Sequence, residues 1–407
     1  MALPGLIFLG VDLVRFSIDF AGFYALYLAI SLSLNLEFGY TGIPNFGKVL
    51  FIAGGAAFAG SISGRLAAYV FGVDTHGDFI TFNARIITQV DNLILSDPVF
   101  AVEMVAISLL IAALIGAGLG YLSSYPAIRL REDYLGMLLL GSAQFFQVIL
   151  RTYEPLIGGS QPIFVPDPYY FWAQAGPGVR DLVAALVMSA FAVLVYVYME
   201  RVARSPLGRT LRAIRDNEDA SKALGKDDAA TRRKVLMIAS AIAGMAGALY
   251  TFYTAAIEYD TWTRFAWTFW PFLIVIIGGA GNNVGVAFGA LFFTAILKGL
   301  EQVKFAFQPY IFFDVNWLQD LMFAALLVII LLIRPDGIIK EKTTHTLPKG
   351  VLARFAASKG SAAGIGPPRA AGGSEAQDRS RFVKVLNAFR KTKAEPSERS
   401  ESERTAP

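Results

Sequence analysis

Long apolar runs, each about one bilayer thickness in helical length, recur along this chain and are parted by short charged islands. A helix needs roughly 20 mainly apolar residues to cross a bilayer core. No water reaches the backbone there, so only helices or a closed barrel can span. These runs are continuous rather than alternating, which argues against barrel strands. Only 17% of the 407 residues are charged, against about a quarter in soluble domains. The 55% hydrophobic content and mean hydropathy of +0.51 point the same way. The expected fold class is therefore all-α, a polytopic transmembrane helical bundle with about eight spans and glycine-interrupted helices.

Spans are expected at 18–36, 49–71, 100–122, 134–150, 182–199 and 235–256. Two helical pieces follow at 272–277 and 284–300, parted by G-G-A-G-N-N, and the last span is expected at 318–333. The apolar N-terminus lacks a basic leading region, so it is read as lying along the membrane or spanning partly rather than as a cleaved signal. On the third span, Gly116-x-x-x-Gly120 admits a closely packed neighbour. The acidic segment 72–98 and the loop 154–179, with Tyr169, Tyr170, Phe171 and Trp172 as an interfacial belt, suit the outside. Arg129 and Arg131 suit the cytoplasmic side. Before residue 98, sidedness turns on whether 39–48 reaches the cytoplasm or bends within the membrane.

Residues 1–340 form the expected membrane domain. Residues 341–407 read as a largely disordered, basic cytoplasmic tail, since Ala, Gly, Ser, Pro and charges dominate 356–379. Within the tail, Phe382, Val385, Leu386 and Phe389 share a face ringed by Lys and Arg. That pattern fits anionic lipid headgroups or a short solvated helix. Cysteine is absent, so disulfides and thiolate metal sites are excluded.

The most charged island, 201–234, carries ten Lys or Arg against five Asp or Glu, which marks a loop retained in the cytoplasm. Pro206 and Gly208 precede an expected helix that Gly225 stops. Leu211, Ile214 and Leu224, with Ala220 and Ala223, form a thin apolar stripe on it. Such a stripe suits docking into another protein's groove. It equally suits a solvated helix laced with ion pairs, or one lying on headgroups.

No catalytic constellation is evident. Gly42–Lys48 spells G-x-x-x-x-G-K, but Val49 replaces the hydroxyl residue that would hold magnesium, and no strand precedes it. Gly279-Ala280-Gly281 opens a dinucleotide-like pattern, yet Val284 takes the third glycine's place. His76 and His345 lie in separate polar segments and supply no metal cluster by themselves. No nucleic-acid motif is present, and none is expected as a partner. The glycine-rich breaks can instead expose backbone, which in transporters marks a substrate path, or they can be tight turns. The path candidates are Gly39, Tyr40, Thr41, Gly42, Asn45 and Phe46 at the first break. At the second they are Gly278, Gly279, Gly281, Asn282 and Asn283. Gln144 and Gln147, with Arg151, lie along one face of the fourth span, either as interhelical glue or as path lining.

Several segments, in order, resemble the permeases of branched-chain amino acid ABC importers, most nearly the LivM-type subunit. They are G-Y-T-G-x-x-x-F-G at residue 39, R-L-R-E-D-Y at 129, G-G-S at 158 and G-R-T-L-R-A-I-R-D-N-E-D-A-S-K-A-L-G at 208. A-G-M-A-G-A-L-Y at 243, I-G-G-A-G-N-N-V-G at 277 and R-P-D-G at 334 follow. The resemblance covers roughly 18–340 and implies a permease subunit of the cell inner membrane that is not itself an enzyme. It further implies a LivH-like second permease, two cytoplasmic ATPases that carry the ATP and magnesium, an extracytoplasmic substrate-binding protein and surrounding membrane lipid. No cofactor is expected on this chain.

By the same resemblance, the coupling segment comprises Gly208, Arg209, Leu211, Arg212, Ile214, Arg215, Asn217, Glu218, Ala220 and Gly225. Arg209, Arg212 and Arg215 would set its docking electrostatics, and Leu211 and Ile214 would anchor it. Ile214→Asp is then expected to abolish ATPase association while sparing membrane insertion, as co-purification would reveal. The chain departs from the family pattern at Asn45 and Lys48 (N-F-G-K for S-F-G-H), at 157–162, and at Gln144 and Gln147. These departures keep urea or short amides open as substrates beside branched-chain amino acids. An ATP-independent transporter or channel is the competing class.

Overall fold

A computed structural model of the chain describes residues 7–8, 11–75, 77–130, 132–307, 321–325, 328–329, 332, 337–339 and 341. His76, Arg131, His345, half of the expected span 318–333, Arg334–Asp336 and the tail with its Phe382–Phe389 face lie outside the described residues. Met1–Lys342 fall in one compact unit, and Thr343–Pro407 form a second that lies outside the described residues.

Two short paired strands, β1 (Ile7–Phe8) and β2 (Val11–Asp12), precede α1 (Leu13–Leu34), α2 (Lys48–Val70), α3 (Asn83–Ile94), α4 (Pro98–Arg129) and α5 (Glu132–Thr152). Short α6 (Glu154–Ile157), β3 (Ile163–Phe164) and α7 (Tyr170–Ala173) lead to α8 (Val179–Arg204), α9 (Pro206–Asp216), α10 (Glu218–Ala223) and α11 (Asp228–Thr254). Next come β4 (Ala256–Ile257), α12 (Trp270–Gly278) and α13 (Asn283–Phe307).

Among the described residues, seven segments are long and apolar enough to cross a membrane: Leu13–Tyr40, Lys48–Val70, Pro98–Ala127, Tyr134–Thr152, Val179–Arg204, Asp228–Thr254 and Asn283–Glu301. Phe265–Gly278 is a shorter apolar helix. The protein is an all-α membrane bundle. Its helices outrun the apolar stretches that announce them, because polar residues at their ends take over the unpaired backbone groups. Asp97 accepts the Phe100 N–H at 3.2 Å and Pro98 occupies the first turn, so α4 starts before its apolar run.

Close packing centres on α2, α4 and α11. Gly55 of α2 and Gly244 of α11 meet backbone to backbone, and a Cβ on Gly55 would enter Gly244. Gly116 and Gly120 press against the Ser240 and Leu236 carbonyls, as the small-residue spacing anticipates. Contacts ascend together along α2 and α11 and oppose each other along α4 and α11, so α2 runs parallel to α11 and α4 antiparallel.

At the end of α8 away from α9, the expected outer loops have more structure than their polarity suggests. Segment 72–98 contains amphipathic α3, which buries Ile86, Ile87, Val90 and Ile94. Strand β3 pairs with β4, Ile163 opposite Ile257. Tyr169 is buried here, whereas Tyr170 and Trp172 are exposed, so the aromatic run is not a uniform belt. Asp167 N–H donates to Asp91 Oδ1 at 2.9 Å, and Arg180 Nε donates to Asp167 Oδ2 at 2.7 Å. Burial, reinforced by the Asp167 charge, pushes the Asp91 carboxyl from 3.8 up to about 7, against the opposing pull of the Asp167 N–H and Arg180.

A carboxyl raised on folding stabilises most below its unfolded pKa, and that contribution is lost as pH rises through its folded value. The purified protein should therefore lose thermal stability between about pH 4 and 7, and Asp91→Asn should flatten that slope. An unchanged slope in the variant would rule Asp91 out as its source.

A candidate functional site where two glycine turns meet

Helix α1 does not stop at its apolar limit. It continues as a π-helical turn, Asn35–Tyr40, a wound-out geometry that often marks functional positions. Thr41 Oγ1 donates to the Leu36 carbonyl at 2.8 Å, and Gly42 then turns the chain at φ 77°. This bend is enclosed. Asn35, Glu37, Thr41, Asn45 and Lys48 are all buried.

Glu37 Oε2 receives Lys48 Nζ at 3.0 Å and Asn45 Nδ2 at 3.0 Å, with both charged side chains fully enclosed. Lys48 also reaches the Ala239 carbonyl of α11 at 3.4 Å. Ala239 lies 11 residues into α11, roughly 16 Å along its axis. Segment 39–48 is thus enclosed by the chain itself, with Gly42 lying against Arg215 of α9. Val49 N–H donates to Thr268 Oγ1 at 3.1 Å, which satisfies a free donor at the start of α2. Phe46 stacks on Phe272 with centroids 4.8 Å apart and lies against Gly136 of α5.

The second break ends α12 and starts α13. Gly279 and Gly281 have φ of 106° and 78°, and Asn282 Oδ1 accepts the Val284 and Gly285 N–H groups at 3.1 and 3.3 Å. The two breaks are joined through Asn35. Its Nδ2 donates to Asn283 Oδ1 at 3.0 Å, and its Oδ1 accepts Gly281 N–H at 2.9 Å. Asn283 Nδ2 then donates to Glu200 Oε2 of α8 at 3.1 Å. Ile338 and Ile339 N–H donate to the Ile277 and Gly278 carbonyls at 2.8 and 3.1 Å, while Gly337, φ 77°, lies against Gly279.

The charged island folds as two helices rather than one. Ser205 caps α9, Asn217 is extended and caps α10 through the Ala220 N–H at 2.9 Å, and Gly225 turns at φ 76° toward α11. Glu218 is paired with Lys222 at 2.7 Å and Arg232 at 2.8 Å.

The expected apolar stripe is divided. Leu211, Ile214 and Gly208 are buried within the chain, whereas Arg209, Ala213, Asn217, Ala220, Ala223 and Leu224 are exposed. Ile214→Asp would therefore place a charge in this chain's own packing. Arg212 and Arg215 also turn inward. Arg212 Nε meets Glu341 Oε1 at 3.0 Å and its guanidinium lies over the Tyr40 ring at 5.1 Å. Arg215 Nη2 meets Glu341 Oε2 at 2.8 Å, and its Nη1 donates to the Gly39 carbonyl.

The glycines, Tyr40, Thr41, Asn45, Phe46, Asn282 and Asn283 are thus gathered around this junction. Gln144 and Gln147 are not. They are half-buried on α5 beside Phe146, which reaches α2 at Gly54, beyond the turn. Sequence reading missed Asn35, Glu37, Glu200 and Glu341. The available signal was a lone Asn and a lone Glu within an apolar run, residues that hydrocarbon disfavours.

A family model described as "Branched-chain amino acid transport system / permease component" matches residues 17–331. A protein of Methanocaldococcus jannaschii named "Probable branched-chain amino acid transport permease protein LivM" is 39% identical over 327 residues, 80% of this chain and 93% of that protein. The "High-affinity branched-chain amino acid transport system permease protein LivM" of Salmonella typhimurium and that of Escherichia coli are each 25% identical over 346 residues, 80% of this chain and 70% of theirs. No solved structure matches.

Removing one member of a buried ion pair strands the other. Lys48→Met alone should destabilise the purified protein by roughly 3–5 kcal/mol, while Glu37→Leu with Lys48→Met should recover most of that loss. Thermal unfolding in detergent checks both, and equal losses in the single and double variants would contradict the pairing.

Proposed function

Because the chain belongs to the branched-chain amino acid transport system permease family, we propose that it is the membrane-spanning subunit of an ATP-driven importer. Its cargo would be branched-chain amino acids, the named cargo of its relatives, or related hydrophobic ones. The observation that carries this reading is the α9–α10 hairpin, whose inner face is bonded to the first glycine turn and to Glu341, beyond the stretch that bonds the end of α12, and whose outer face is open. A hairpin so connected can pass a partner's movement into the bundle.

In this reading the hairpin faces the cytoplasm, in keeping with its excess of Lys and Arg. It docks there on one of two ATPase subunits that bind ATP and magnesium. A LivH-like second permease completes the path, and an extracytoplasmic binding protein delivers cargo to the opposite end. The membrane is the cell inner membrane, with the C-terminal tail on the cytoplasmic side. ATP binding draws the hairpins together, and the bundle rocks between outward- and inward-open states with the glycine turns lining the path. Glu37 and Lys48 neutralise each other, which favours a nucleotide-driven cycle over one coupled to an ion gradient.

The docking anchor is the outward side chains, Leu224 with Ala220 and Ala223, because Leu211 and Ile214 are buried within the chain. Leu224→Asp should weaken ATPase co-purification about tenfold, the loss of a ~1.4 kcal/mol anchor, and leave membrane insertion intact. Vesicles containing the chain, a second permease and the ATPases, supplied with the binding protein, should take up labelled leucine, and not urea, only when ATP is supplied. Uptake by this chain without any ATPase would overturn the reading.

A further inference from the structure

Three separate segments converge on one guanidinium. Arg215 sits on α9, yet its Nη1 holds the carbonyl of Gly39 in the first turn and its Nη2 holds Glu341 at 2.8 Å. Glu341 follows Gly337–Ile339, the stretch whose N–H groups bond the last carbonyls of α12. Its other carboxylate oxygen takes Arg212 Nε at 3.0 Å, so two arginines three residues apart on α9 grip both oxygens of one carboxylate.

The glycines fit the same arrangement. A Cβ on Gly42 would lie 3.1 Å from Arg215 Cγ, and one on Gly281 would lie 3.1 Å from Arg215 Nη1. Both turns therefore leave room for this side chain. The contacts are half-buried, where charge-assisted hydrogen bonds are stronger than in water. A displacement of α9 must then either carry the first turn and the 337–341 segment with it or break these bonds.

We propose that Arg215, working against Glu341, is the positioning residue that ties movement of the α9–α10 hairpin to both glycine turns. It thereby sets how much solute crosses per ATP hydrolysed. The inference rests on the importer reading and adds to it a residue that faces away from the ATPases. A lysine, with a compact charge in place of a planar fork, cannot hold Gly39 and Glu341 together in the same geometry.

The test uses the full chain assembled with its second permease and ATPases in proteoliposomes, supplied with the binding protein, with labelled leucine as the probe. Leucine uptake and ATP hydrolysis are measured on the same sample. Arg215→Gln should leave the ATPases bound and hydrolysing while uptake per ATP falls about tenfold, within the roughly 5- to 150-fold span of coupling between sites. Arg215→Lys should fall between wild type and Arg215→Gln. Glu341→Gln, which leaves the Gly39 contact in place, should show a smaller drop than Arg215→Gln and decides the matter if Arg215→Gln does not assemble. An unchanged uptake-to-hydrolysis ratio in the variants, even with both rates lowered, would mean that the cluster is only structural and would overturn the inference alone. ATP-independent uptake by the unaltered assembly would overturn the importer reading and this inference with it.

Discussion

Backbone groups released at two glycine turns inside an apolar bundle must find partners, and much of this structure follows from how they do. A buried donor or acceptor left unmade costs about 1–3 kcal/mol in protein, and lipid offers no water to relieve it. Here the partners come from other parts of the chain. Asn35 takes the Gly281 N–H, Arg215 donates to the Gly39 carbonyl, and Ile338 and Ile339 supply N–H groups to the end of α12. Each turn is thus completed by segments distant in sequence, and neither is an independent loop.

The Glu37–Lys48 pair belongs to the same economy. Two charges withdrawn from water are expensive, and their mutual attraction offsets that only with good geometry and added hydrogen bonds. Asn45 and the Ala239 carbonyl supply two of those bonds, while Glu37 Oε1 has no hydrogen-bond partner among the described residues. The pair pins the start of α2 to the π-helical end of α1 and to α11. That anchorage keeps the first turn packed against the bundle, within reach of α9 on one side and of Phe272 on the other.

The charged island then has two distinct faces. Leu211, Ile214, Arg212 and Arg215 look inward and make α9 continuous with the bundle. Leu224 and the alanines of α10 look outward. Asn217 divides the hairpin so that both faces can exist, because its extended backbone ends one helix while its side chain starts the next. A single amphipathic helix has only one apolar stripe, and that is how the linear pattern reads.

Much of the fold was legible before any coordinates. Six expected spans were recovered as long helices, with the G-G-A-G-N-N break between α12 and α13 and the close approach at Gly116 and Gly120. All of these rest on local quantities: apolar length, glycine spacing and capping residues. The site was legible only in part. Tyr40, Asn45 and Asn283 could be picked from their glycine-rich neighbourhoods, whereas Asn35, Glu37 and Glu341 gave no local sign of what they bind.

Sequence by itself determined that this chain crosses a membrane as helices and where its backbone is interrupted, because hydrophobicity and turn propensity act over a few residues. Only the tertiary structure decided that the interruptions meet. Asn35 and Asn283 are 248 positions apart, and the packing of α1, α12 and α13 brings them to 3.0 Å. The same packing turned two arginines of a charged loop inward, because a carbonyl and a carboxylate awaited them there.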